Sequence, residues 1–219
     1  MTDTRFDQLL DLAVGVVLVT SFAALWLRRL ISVTRVVAVQ GIALGLVATV
    51  IGIHERETEL VAVSVLVAAL RGVALPGLIW RAVRSGGEQR EVESLINVPA
   101  GLLGAALLTL LAYAATGDVV ALAGTAQARA MPLGVAVSLI GILLVVTRRK
   151  AVLQIIGVLM LDNGIAMVMF LGTSGVPLVV ELGVASDVLL AMFILQVLTT
   201  RIRTEFGGTD LDQLRELRD

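Results

Sequence analysis

The sequence predicts an all-α, polytopic membrane protein of seven transmembrane helices, and three observations predict it. Of the 219 residues 58% are hydrophobic and only 16% charged, with a mean hydropathy of +0.96, too apolar for an ordinary soluble domain. Apolar runs long enough to cross a bilayer, about 20 residues each, recur along the whole chain. The basic residues between those runs collect on alternate turns.

The runs cover residues 9–27, 34–53, 60–83, 95–116, 130–147, 151–172 and 178–200. The first has acidic Asp3 and Asp7 before it and Arg28-Arg29 after it, the wrong layout for a cleaved signal, so it is expected to remain as a membrane anchor. The fifth is short and opens after Met131-Pro132, and proline is acceptable in a first helical turn. Turns on one side carry Arg28, Arg29 and Arg35, then Arg81, Arg84 and Arg90, then Arg148, Arg149 and Lys150, then the tail arginines from Arg201 onward. Opposite turns carry only Arg5, Arg56 and Arg129. With an odd number of helices this asymmetry predicts an outside N-terminus and a cytoplasmic C-terminus.

The linker SGGEQREVE, residues 85–93, is the best internal boundary. Residues 1–84 form a first three-helix module, residues 85–129 the linker plus the fourth helix, and residues 130–200 a second three-helix module. Each module reads as a helix, a basic turn, a helix with a polar-Gly-Ile run (Gln40-Gly41-Ile42, then Asp162-Asn163-Gly164-Ile165) and a helix with a buried charge (Arg71, then Asp187). Parallel repeats of this kind build several transport folds. After Gly207-Gly208, residues 201–219 are expected to end in a cytoplasmic amphipathic tail, with Leu211, Leu214 and Leu217 on one face against a partner or the lipid surface.

The chemistry rests on charges inside the membrane. A carboxylate or arginine at mid-bilayer costs about 2.5 to 3.5 kcal/mol on insertion scales, and such residues mark ion or proton paths. At about 1.5 Å per residue, Asp162, Asp187 and Arg71 all lie about 14 to 16 Å inside their helices. Glu181 lies one turn from the outer surface and Gln40 about 9 Å from the arginine-bearing side. Charges of both signs at one depth on three helices fit a lateral proton relay, in which Arg71 is a fixed counter-charge because a guanidinium does not release its proton. They also fit a structural pair in which Asp162 or Asp187 holds Arg71 and locks the helices. Gln40 and Asn163 are polar support, and Pro76 is expected to kink the third helix one turn beyond Arg71.

Other functions are excluded or left without support. There is no cysteine, so no thiolate can hold an iron–sulfur cluster or attack a substrate. The single histidine, His54, sits in a polar run with no second histidine for a metal site and is expected to be a solvated loop residue. A net charge of −1, confined to short turns, gives no basic surface for nucleic acid. The chain is expected to carry no catalytic centre and no cofactor or metal site of its own.

The runs RRKAVLQIIGVLMLDNGIAMVMF, PLVVELGVASDVLLAMFILQVL and RIRTEFGGTDLDQLREL, with AVQGIAL and LRGVALPGLI in the first half, spread over nearly the whole chain. They resemble the hydrogenase-4 component E family, membrane subunits of group 4 NiFe-hydrogenase and formate hydrogenlyase complexes related to the K subunit of complex I. The resemblance implies a non-catalytic subunit of a proton-translocating arm in a bacterial inner membrane. Its partners would be antiporter-like membrane subunits and a hydrogenase-like peripheral arm that holds the NiFe centre and Fe–S clusters. By the family's pattern Asp162 takes the place of the glutamate in a Glu-Asn-Gly motif, and Glu181 and Asp187 match acidic positions of the last helix. Arg71 stands where the family commonly has lysine. The first departure keeps a titratable carboxyl, whereas the second removes a group able to deprotonate. Two other readings stay open: a scaffold subunit that moves no ion, and a stand-alone small cation or proton transporter.

Overall fold

The computed structural model describes residues 3–85, 95–173 and 194. Among them the fold is all-helical: α1 Asp3–Trp26, α2 Leu30–Glu55, α3 Thr58–Ala69, a π-helical turn Leu70–Ala74, α4 Leu75–Ser85, α5 Val98–Ala123, α6 Ala126–Arg129, α7 Met131–Thr147 and α8 Ala151–Thr173. α3, the π turn and α4 are one continuous rod, and α6 leads directly into α7. Six spans are long and apolar enough to cross a bilayer, which makes this a multi-pass membrane protein. The predicted seventh run lies outside the described residues apart from Ile194, which is buried.

Lipid offers no partner to a bare polar group, and the helices satisfy theirs internally. Thr20, Thr34, Thr49, Thr109, Thr116 and Thr147 each donate their hydroxyl to the carbonyl four residues earlier. Thr49 and Ser64 also meet hydroxyl to hydroxyl at 2.7 Å, linking α2 to α3.

The turns sort onto two ends of the bundle. At one end Arg148, between α7 and α8, donates to the Leu25 carbonyl of α1 at 2.9 Å, and Leu95 N–H donates to the Thr147 carbonyl. At the other, Gln127 of α6 donates to Glu55 of α2 at 3.0 Å. Two apolar clusters fill the interior between them. One contains Phe6, Leu10, Ile51, Leu60, Met167 and Leu171; the other contains Leu25, Leu30, Ile79, Leu144, Ile156 and Met160.

α7 and α8 approach most closely, because glycines repeat seven residues apart on both: Gly134 and Gly141 face Gly164 and Gly157. A Cβ on Gly157 would lie 2.9 Å from the Val145 amide nitrogen, and one on Gly141 would run into the backbone of Leu161. Small residues at helix crossings let backbones touch, which is how membrane helices gain packing energy where lipid supplies no hydrophobic drive. α5 is the least buried span and turns Leu103, Leu107, Leu110 and Leu122 outward.

Several element boundaries differ from those the sequence predicts. α2 begins at Leu30, four residues before its predicted start, because Arg28 and Arg29 alone suffice for the turn. α5 begins at Val98, where the Asn97 side chain caps the Ala100 amide at 3.0 Å, and it continues through Gly117-Asp118 to Gly124, whose positive φ ends it. His54 is not a loop residue: it lies in the last turn of α2, half-buried, with Phe6 of α1 stacked on its ring at 4.0 Å. Just before Pro76 the third span widens into a π turn, which the sequence reading did not predict.

Candidate functional site

Between the two apolar clusters lies a layer of polar side chains centred on Arg71, which is 4% exposed. Arg71 stands on the π turn, where the Leu75 amide reaches back five residues to the Leu70 carbonyl. Single π turns inside α-helices occur often at functional sites. Pro76 has no N–H and so cannot extend that five-residue register to the Arg71 carbonyl. The wide turn fits against α2 only because Gly41 and Gly72 lack side chains. A Cβ at Gly41 would collide with the Arg71 carbonyl group, and one at Gly72 would collide with Ile42.

From there the guanidinium forks across two successive residues of α8. Nη2 pairs with Asp162 Oδ2 at 2.7 Å, and Nη1 donates to Asn163 Oδ1 at 2.9 Å. The Asn163 amide nitrogen donates to Gln40 Oε1 on α2 at 3.0 Å. Gln40 Nε2 donates to Ser21 Oγ on α1 at 2.8 Å and to the Val17 carbonyl at 3.2 Å, and Ser21 donates onward to Val17 at 2.8 Å. Arginine can only donate, so Asn163 must turn its oxygen to Arg71 and its nitrogen to Gln40, which fixes the Gln40 amide in turn. The direction of the chain is set by its one permanent cation.

Four of the six residues singled out from the sequence therefore meet: Arg71, Asp162, Asn163 and Gln40. Asp187 and Glu181 lie outside the described residues. The shallow depth expected of Gln40 is corrected. With α2 starting at Leu30, Gln40 lies about 15 Å from the helix start, level with Asn163 at about 18 Å along α8. The network is thus a lateral layer near mid-helix. Asp162 and Asn163 divide the work on Arg71, one supplying charge and the other a neutral acceptor. The Asp162 side chain is 17% exposed against 3% for Arg71, so the carboxylate is the more accessible end of the pair.

Sequence reasoning missed Ser21 and the π turn. Ser21 is one small hydroxyl in an apolar helix, with nothing in its own neighbourhood to mark it. The π turn had a signal, since Arg71-Gly72 before Leu75-Pro76 puts a buried charge, a bare backbone and a missing donor within six residues.

No protein-family profile matches the chain, and no solved structure does. The chain is 31% identical to hydrogenase-4 component E of Escherichia coli strain K12 and of Shigella flexneri, in each case over 80 residues, 36% of this chain and 37% of theirs. That likeness spans a little over a third of the chain, less than the quoted sequence runs imply. Over its full length, and the full length of the relative, the chain is 45% identical to the Mycobacterium tuberculosis protein named Uncharacterized protein Rv0085. It belongs to the same family as that mycobacterial protein.

Proposed function

We propose that this chain is a non-catalytic membrane subunit of a hydrogenase-4-like assembly related to complex I, and that Asp162 is a proton-exchanging carboxylate in its lateral path. The observation that carries the reading is the fork of Arg71 between Asp162 and Asn163 at mid-helix depth. A purely structural ion pair needs only the carboxylate. Here the amide chain from Asn163 through Gln40 to Ser21 holds the guanidinium independently, so Asp162 can gain and lose a proton without releasing Arg71. Asn163 and Gln40 carry neutral amides, so Asp162 is the exchanging carboxylate of this layer, and the next steps would fall to Asp187 and Glu181 of the predicted seventh run. The local likeness to hydrogenase-4 component E supports the partners: antiporter-like membrane subunits and a hydrogenase-like arm that carries the redox centres.

Seven spans with an outside N-terminus follow from the arginine-bearing turns. The contact of Gln40 with Asn163, matched positions in the two three-helix modules, supports a parallel repeat whose halves meet along α2 and α8. Asp162→Asn tests the function. Proton movement driven by the complex should fall to background while the complex assembles in normal amount. If assembly is lost, or nothing changes, the scaffold reading replaces this one.

A further inference from the structure

A second polar site lies at the arginine-bearing end, away from the buried layer. A cavity of about 300 Å³ opens between the end of α1, the start of α5 and the α7–α8 turn, lined by Leu25, Arg28, Asn97, Val98, Thr147 and Arg148 among others. Arg148 is 4% exposed, and its Nη2 is held by the Leu25 carbonyl at 2.9 Å. Its Nε is buried and has no hydrogen-bond partner, although it belongs to a permanent cation. Among the described residues no carboxylate lines the cavity. Burial, and then the charge of Arg28, push Arg148 below its ordinary pKa. Two arginines thus line one space, with no counter-charge among the described residues. The N-terminus of the 26-residue α5 adds its positive end on the same side.

Buried cations without partners are costly, and sites that tolerate them hold an anion. We propose that this cavity binds a phosphate group, with the Arg28 and Arg148 guanidinium groups as its principal donors. The phosphate is either the headgroup of an anionic phospholipid at the membrane surface or soluble phosphate. Leu25, Leu95 and Val98 give the rim an apolar side on which an acyl chain can lie. The proposal does not rest on the reading of Asp162.

The test uses the full chain, stripped of lipid in a neutral detergent, with binding read by native mass spectrometry and by thermal unfolding. The probes are phosphatidylglycerol, phosphatidylcholine and inorganic phosphate. Binding of phosphatidylglycerol that weakens about tenfold in Arg28→Gln supports a lipid ligand, since a charge-assisted hydrogen bond contributes about 1.5 to 3 kcal/mol and each 1.4 kcal/mol is tenfold. Stabilisation by inorganic phosphate with the same dependence on Arg28 supports the soluble source. Arg28 is exposed and lies between helices, so its variant folds even where Arg148→Gln does not. Equal binding of all probes, or retention unaffected by Arg28→Gln, overturns the proposal.

Discussion

Two buried arginines, Arg71 and Arg148, are each 4% exposed, yet they are held in opposite ways. Arg71 has a carboxylate and an amide, with a second amide and a hydroxyl fixing the first. Among the described residues Arg148 has only the backbone carbonyls at the end of α1, and its neighbour Arg28 repels it. Equal burial therefore says little about role, and partners decide it. The first arginine is locked by protein charge near mid-helix, whereas the second lies beside a cavity at the end of the bundle.

The sharpest way to break this comparison is to neutralise each arginine in turn. Arg71→Gln removes the counter-charge of Asp162 and the donor to Asn163 together, whereas Asp162→Asn keeps an amide oxygen for the guanidinium. Removing one partner of a buried pair costs about 3 to 5 kcal/mol, so the folded yield of Arg71→Gln in detergent should fall severely. Arg148→Gln removes a charge with no counter-charge among the described residues, and the change in unfolding free energy should stay within about 1 kcal/mol. If the two variants lose equal stability, the contrast is wrong. The double variant Arg71→Leu with Asp162→Leu should recover most of what Arg71→Gln loses, since well-packed apolar groups often replace a buried ion pair without loss.

Gly41→Ala should cost about 1 to 3 kcal/mol, because its methyl group enters the space of the Arg71 carbonyl and pushes α2 off the π turn. Asn163→Ala sharpens the division of labour. Interhelical hydrogen bonds in membranes average about 0.6 kcal/mol, so stability should drop little, while Arg71 loses its amide anchor and proton exchange slows. At the far end, Gln127→Ala removes a bond to the exposed Glu55 and should cost about 0.5 kcal/mol or less, measured by the same unfolding assay.

The parts of this arrangement legible in the sequence were those with a strong local cost. Asp162 and Arg71 are conspicuous because charge in an apolar run is expensive, but whether Asp162 or Asp187 pairs with Arg71 was left open by the sequence. The depth of Gln40 was misjudged because it depends on where α2 starts, and helix ends carry weak signals between two arginines. His54 looked solvated among charged neighbours, yet Phe6, forty-eight positions away, stacks on it. That is a tertiary contact, and no local pattern encodes it. The cavity beside Arg148 was invisible for the same reason, since its walls come from α1, α5 and α7. The glycines of α7 and α8 were readable in principle, as a seven-residue repeat on both helices.

The measurement that bears most directly on the central claim is an infrared pH titration of the purified chain, comparing the native sequence with Asp162→Asn. The account predicts a protonated-carboxyl band that grows on acidification, is absent from the variant, and comes and goes while the amide bands of the helices stay unchanged. A native chain with no titrating carboxyl band that the variant removes, or one in which helix bands shift together with it, would contradict the claim that Asp162 exchanges its proton while Arg71 stays anchored.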